Sequence, residues 1–230
     1  MQRRYYEGRE KRHMLPTGSP YLRRHVDELV RFAGLGPSQR ILEVGCGMGR
    51  YTLLLAERGL QVEGLDLSPV LLERLRTFDG GRFDIPLHAA DIAFPPTTLA
   101  GRFDAVVGFF TLHHLHDLGR SFAAIARLVR PGGRIAFLEP NPLNPLYYVQ
   151  ILITPRMTWR GDAGIVRMRR AVVFRAMEEA GIRRLSRVRF GFFPPFLANL
   201  ARARPLEHRV ERVLPLRPIL PFQIFGGERG

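Results

Sequence analysis

Three glycines at spacing two, Gly45, Gly47 and Gly49, follow a short apolar run, Ile41–Val44, and precede a helical pattern. Residues without side chains let backbone close on a ligand. A strand-to-helix turn also aims unpaired N–H groups at whatever occupies it. Such a unit belongs at the carboxyl edge of a parallel sheet. Glu43 adds a carboxylate near the end of the strand. A second short strand, Val62–Asp66, ends in another acid. It follows the glycines by about 20 residues, the distance at which an acid meets ribose hydroxyls. Asp66 is not needed to start the next helix, because Ser68 and Pro69 supply a cap and a first turn.

The dinucleotide fingerprint G-x-G-x-x-G/A places a small residue six positions along. Here that position is Arg50, and the glycines instead follow E-x-G-x-G-x-G from Glu43 to Gly49. On this motif the chain resembles the class I S-adenosylmethionine (SAM) dependent methyltransferases, in their small-molecule, quinone-type branch (methyltransferase type 11-like). The resemblance implies SAM as cofactor and methyl transfer as activity. It implies an α/β fold with a doubly wound, mostly parallel seven-stranded sheet, helices on both faces and an antiparallel last strand. It also assigns cofactor contacts. Backbone at Gly45, Cys46, Gly47 and Gly49 would receive the methionine part, with Glu43 toward its ammonium. Asp66 and Leu67 would meet the ribose, and Asp91 and Ile92 the adenine. Phe109 would lie beside the sulfonium, as would Phe110, Tyr5 or Tyr6, since aromatic faces attract cations. The motif-bearing part of the resemblance spans Ile41 to Leu138.

Further strand patterns cover residues 86–89, Asp104–Phe109 and Arg134–Leu138, the last after a Pro131-Gly132-Gly133 turn. Strands alternating with helices predict the parallel, doubly wound arrangement independently. Ligands bind beyond the carboxyl ends of such strands. Glu43, Asp66, Asp91, His113 and Glu139 all fall at or after a strand end, so one sheet edge can collect them. If the acceptor needs a base, His113, His114 and Glu139 are the candidates, histidine because it titrates in the useful range. Phe192, Phe193, Phe196 and Trp159 are candidates to roof an apolar acceptor pocket; as core residues they would need no such role.

Ser19–Gly34 reads as an amphipathic helix with a serine cap and a glycine stop. Leu22, Val26, Leu29, Val30 and Ala33 share its apolar face; Arg23, Arg24, Asp27, Glu28 and Arg31 are expected opposite. Arg170–Ala180 reads as a helix ending at Gly181, Arg183–Phe190 as a sixth strand and Phe222–Phe225 as a seventh. The intervening insertion, Phe192–Leu220, carries an apolar stripe of Leu206, Val210, Val213 and Leu214, with Glu207, Arg209, Glu211 and Arg212 opposite. Residues 1–230 thus read as one domain: arm and helix over 1–34, cofactor core over 35–140, and acceptor-side insertions over 141–181 and 192–220.

Charge is uneven. Basic residues outnumber acidic ones 19 to 15 up to Pro140 and 16 to 6 beyond it. Lys11 is the only lysine. A basic tail suits anionic headgroups, nucleic acid or acidic substrates, and equally an arginine-biased composition with no acidic partner. No N-P-P-Y type motif follows the fourth strand, which makes nucleic-acid bases poor acceptors. A small apolar or lipid-like acceptor is expected, with RNA or protein methylation and a membrane- or partner-binding protein with a structural SAM site as alternatives. Phe192–Leu220 is the candidate for peripheral membrane contact. Cys46, the only cysteine, excludes an internal disulfide. With no metal-ligand spacing, no signal-type start and no run near the ~18 residues of a membrane span, a metal-free cytoplasmic protein is expected, peripheral at the inner membrane face if the insertion binds lipid.

Overall fold

The protein is described by a computed structural model over residues 15–148, 163–200 and 203–230. Tyr5, Tyr6, Trp159 and most of the aromatic segment after Pro145 lie outside those residues. The strands are β1 (Arg40–Val44), β2 (Gln61–Asp66), β3 (Leu87–Ala89), β4 (Phe103–Phe109), β5 (Val129–Pro140), β6 (Ile182–Phe190) and β7 (Phe222–Arg229). They form one sheet of order β3-β2-β1-β4-β5-β7-β6. β1 to β5 pair in parallel, and β7 runs antiparallel to both β5 and β6. The chain order reverses between β1 and β4, the switch point where such sheets open a crevice. The expected fold class, with its antiparallel last strand, is the observed one.

Alternation along the strands feeds two cores. Leu42, Val44 and Val106 join one, while Ile41, Ala105 and Val107 join the other. Helices α1 (Pro20–Ala33), α2 (Thr52–Ala56) and α3 (Pro69–Asp79) cover the second face; α4 (Leu118–Leu128) and α5 (Arg170–Glu179) cover the first. α1 begins as expected: Ser19 Oγ accepts from the Leu22 amide, and Gly34 ends the helix in the left-handed conformation at φ 62°.

Two strand boundaries differ from the sequence reading. Pairing of β5 with β4 resumes after a register shift between Phe103 and Ala105, so the Pro131-Gly132-Gly133 bend is a bulge within β5 rather than its border. β7 runs through Gly226 and Gly227 to Arg229. Those glycines answer a packing demand. A Cβ on Gly226 would stand 2.5 Å from the Phe32 ring of α1 and 2.7 Å from the Ile135 carbonyl oxygen.

The insertion between β6 and β7 holds α6 (Pro195–Ala198) and α7 (Ala203–Glu211), and its polarity is the reverse of expectation. Glu207 is 3% exposed and Leu206 54%, so the acids of α7 face inward and the leucine faces out. Arg24 and Glu28 of α1, expected on the solvent side, are buried. One network explains both. Arg24 pairs with Glu207 and, at 2.5 Å, with Glu211. Glu207 Oε1 also accepts from the amides of Phe192 and Phe193, and Glu211 Oε1 from that of Gly191. Three successive amides leaving β6 therefore find acceptors only if the acids of α7 turn inward. Removing Arg24 takes the cation from the buried Glu207 and the half-buried Glu211, leaving them only backbone amides and His208, which costs about 3 kcal/mol or more. Urea denaturation of Arg24→Ala is expected to show such a loss, partly recovered in Arg24→Ala/Glu207→Gln. A loss below about 1 kcal/mol, the scale of a surface pair, would contradict this assignment.

Candidate functional site

The carboxyl ends of β1, β2 and β4 converge on the glycine turn. Gly45, Gly47 and Gly49 all have positive φ (71°, 54° and 90°), a backbone that side chains resist. Close approach adds to this: a Cβ on Gly45 would stand 2.6 Å from Thr111 of the β4 loop, and one on Gly49 2.8 Å from Leu75 of α3. The turn is tied to β2. The Gly45 amide donates to the Leu65 carbonyl at 2.7 Å, and the Gly47 amide to Asp66 Oδ2 at 2.8 Å. Asp66 Oδ1 accepts from the Ser68 amide at 2.9 Å. Burial pushes the Asp66 pKa up, opposed by these backbone bonds.

Cys46 and Ile92, named from sequence among the cofactor contacts, have buried side chains, Ile92 within the core beside Leu65. Burial holds the Cys46 thiol well above its usual range, which leaves it protonated. Leu67 and Asp91 are exposed beyond β2 and β3; Asp91 Oδ1 accepts from the Ala93 amide at 2.9 Å. Phe109 is buried at the end of β4 and stacks on Tyr51 with ring centroids 4.3 Å apart.

Glu43 is buried at the end of β1, and its Oε2 has no hydrogen-bond partner. Burial pushes its pKa up to about 8, against a smaller lowering from the neighbouring Thr52 hydroxyl. Among the described residues Arg50 Nε is likewise buried and unpartnered. A lone buried polar atom needs an explanation. The cofactor implied by the sequence resemblance, with an ammonium, a carboxylate and a ribose diol, fits these groups: a bare backbone cradle, an orphan acid, an orphan guanidinium and Asp66.

Beyond β4 the backbone takes a strained turn, with Phe110 at φ 55°. Glu139, fully buried at the end of β5, holds that turn. Its Oε1 accepts from the Thr111 and Leu112 amides at 2.8 and 2.6 Å, and its Oε2 meets His113 Nδ1 at 2.6 Å. Glu139 thus pairs with a histidine and two backbone amides. The His114 ring lies against that of His113, centroids 3.9 Å apart and planes tilted by 46°. The geometry brings Glu43, the glycines, Asp66, Phe109, His113 and Glu139 to one sheet edge.

Sequence reasoning passed over His25, Tyr51 and Tyr21. His25 Nδ1 lies 3.1 Å from Tyr51 Oη, and the imidazole is ringed by Tyr21, Phe110, Phe190 and Phe222. Burial, then the positive charges of Arg50 and Arg24, push its pKa down to about 3, so it is neutral. The i, i+4 spacing of Tyr21 and His25 on α1 was the available signal; aliphatic periodicity alone hid it.

Residues 42–137 match the family model described as a methyltransferase domain. Among relatives, the chain is 36% identical over 129 residues to the ubiquinone biosynthesis O-methyltransferase of Aromatoleum aromaticum, covering 55% of this chain and 54% of that protein. It is 32% identical over 130 residues to the protein of the same name from Dechloromonas aromatica, covering 56% and 53%. The chain thus spans about half the length of the curated relatives it matches. Among solved structures, a SAM-dependent methyltransferase from Archaeoglobus fulgidus superposes with TM-score 0.63 at 16% identity, covering 92% of this chain and 95% of that one. Geranyl diphosphate C-methyltransferase from Streptomyces coelicolor gives 0.63 at 18%, covering 90% and 76%. At such identities these two share the fold.

An acid whose folded pKa is raised from 4.5 to about 8 costs nothing below pH 4.5, and the cost grows as pH rises toward 8. Glu43→Gln is therefore expected to stabilise the ligand-free protein at pH 8 by about 1–3 kcal/mol, with little change at pH 4.5. Denaturation at the two pH values measures this; equal effects at both would refute the buried, uncompensated acid.

Proposed function

Because residues 42–137 match the family model described as a methyltransferase domain, we propose that the chain is a class I SAM-dependent methyltransferase and transfers the methyl group of SAM to a small, apolar or lipid-like acceptor. The observation that carries this reading is the single sheet edge that gathers the glycine turn, Asp66 and the aromatic residues of β4. When bound, SAM supplies a methyl on a sulfonium, open to in-line displacement. The chain's own task is then alignment and exclusion of water. The backbone of Gly45 to Gly49 receives the amino-acid part, with Glu43 near the ammonium. Asp66 accepts from the ribose hydroxyls, and Leu67, Asp91 and Ile92 border the base. Phe109, held flat by Tyr51, presents an aromatic wall. His113 holds the acceptor's proton at Nε2, with Glu139 as its positioning residue and His114 tilted against its ring.

The domain reading follows from the same assignment: a cofactor core over 35–140, with the arm and the two insertions on the acceptor side. The relatives named for ubiquinone biosynthesis support a lipid-like acceptor, and so does the surface of the insertion. Phe196 is 73% exposed, and Leu200, Leu206 and Val213 also face outward beside Arg204, Arg209 and Arg212. An apolar face rimmed by arginine suits an anionic bilayer surface. Among the described residues no helix is long and apolar enough to cross a membrane.

Calorimetric titration is expected to detect SAM binding by the wild type, no NADH binding, and at least a tenfold weaker SAM affinity in Asp66→Ala. Unchanged affinity in that variant would show that the ribose lies elsewhere. Given methyl-labelled SAM with a polyprenylated phenol and bulk RNA together, the protein is expected to label the organic-extractable fraction; label confined to RNA would overturn the acceptor reading. Sedimentation with vesicles containing anionic lipid is expected to lose most bound protein in Leu206→Ser/Val213→Ser, whereas equal binding by both proteins would remove the insertion as the contact.

A further inference from the structure

Arg50 was singled out in the sequence because it breaks the dinucleotide fingerprint, and nothing assigned above to the backbone, Asp66 or the histidines uses it. It directly follows Gly49, at the exit of the glycine turn. Its guanidinium carbon lies 5.7 Å from the Tyr51 ring centroid. Its Nε is buried without a partner, and no hydrogen bond or ion pair joins it to any described residue. Arg24 meets Glu207 and Glu211, Arg58 meets Asp27 and Arg40 meets Glu63; Arg189 Nε is also buried without a partner, but it lies on β6 and not at the glycine turn. An arginine left free beside a ligand cradle is a binding group awaiting an anion.

The surroundings select the anion. Burial raises the pKa of Tyr21 and Tyr51 and lowers that of His25; the positive charge of Arg50 opposes the rise in the two tyrosines and adds to the fall in His25. Glu43 also acts on Tyr51, in the opposite direction. One tyrosine is therefore within electrostatic reach of both an orphan acid and an orphan guanidinium. A plain cation would be repelled by Arg50. An α-amino acid end group, ammonium and carboxylate on one carbon, satisfies both residues at once.

We propose that Arg50 binds the α-carboxylate of the cofactor's amino-acid part, opposite Glu43 at its ammonium, so that the pair reads the zwitterion and not only the adenosine. The assignment rests on the SAM reading above and adds to it a residue that decides between cofactor and nucleoside. Guanidinium suits the task because its planar donors match a carboxylate in a two-pronged contact, which an ammonium of lysine cannot reproduce.

The test separates the two parts of the ligand. Wild type, Arg50→Ala and Arg50→Lys are titrated by calorimetry with S-adenosylhomocysteine and with 5′-methylthioadenosine, which keeps the adenosine and thioether but lacks the amino acid. The wild type is expected to bind the first compound at least tenfold more tightly. Arg50→Ala is expected to weaken the first by 10- to 100-fold and the second by less than twofold, with Arg50→Lys intermediate on the first. Retained 5′-methylthioadenosine binding also certifies that the variant is folded. Equal losses for both compounds would make Arg50 a prop of the turn, and an unchanged first affinity would give its charge to another ligand; either overturns the inference. A wild type that binds both compounds equally overturns it while leaving the adenosine site standing. A wild type that binds neither overturns the cofactor reading as well.

Discussion

The bond from the Gly47 amide to the Asp66 carboxylate joins the two halves of the site. It ties the bend after β1 to the end of β2, and it exists only because three glycines let the backbone take positive φ there. Thr111 and Leu75 press against that bend so closely that side chains at Gly45 or Gly49 would displace them. The parallel sheet fixes β1, β2 and β4 in register, so their ends cannot drift apart. A bend of bare backbone at this sheet edge follows from the sheet's topology and from the absence of side chains, not from flexible loops.

Polar groups around this bend fall into two kinds. Some are satisfied and hold structure: Glu139 with its two amides and His113, and Arg24 with the acids of α7. Others are buried and unsatisfied: Glu43 Oε2 and Arg50 Nε, with Thr52 Oγ1 and His25 Nε2 beside them. The first kind fixes the geometry of the β4 turn and of the insertion. The second kind marks where charge complementarity is left for a ligand, at a cost to the stability of the empty protein. Opposite signs within reach of one tyrosine make the unsatisfied pair a recognisable shape rather than two accidents.

The core of the fold was legible in the sequence because each strand end carried its own mark: glycines after β1, an aspartate after β2, a histidine pair after β4, a glutamate ending β5. Periodicity placed α1 within a residue of its observed ends, since Ser19, Pro20 and Gly34 act locally. The errors came where a distant partner decided. Nothing within α7 shows that amides 191–193 require acceptors, so its acids were expected outward and its leucines inward. Nothing near Gly226 reveals that Phe32, nearly two hundred positions earlier, must pack on it. The pairing of His25 with Tyr51 is of the same kind. Of the candidate site, the residues held by motif spacing could be named in advance, while those delivered by α1 could not.

That the bend and Asp66 together hold an adenosyl ligand is tested most directly by a crystal structure with S-adenosylhomocysteine. Density is expected with the ribose hydroxyls on Asp66, the amino-acid end against Gly45 and Gly47, and the sulfur facing the Phe109 side of the crevice. Density for the nucleoside away from the glycine bend would contradict the account at its root.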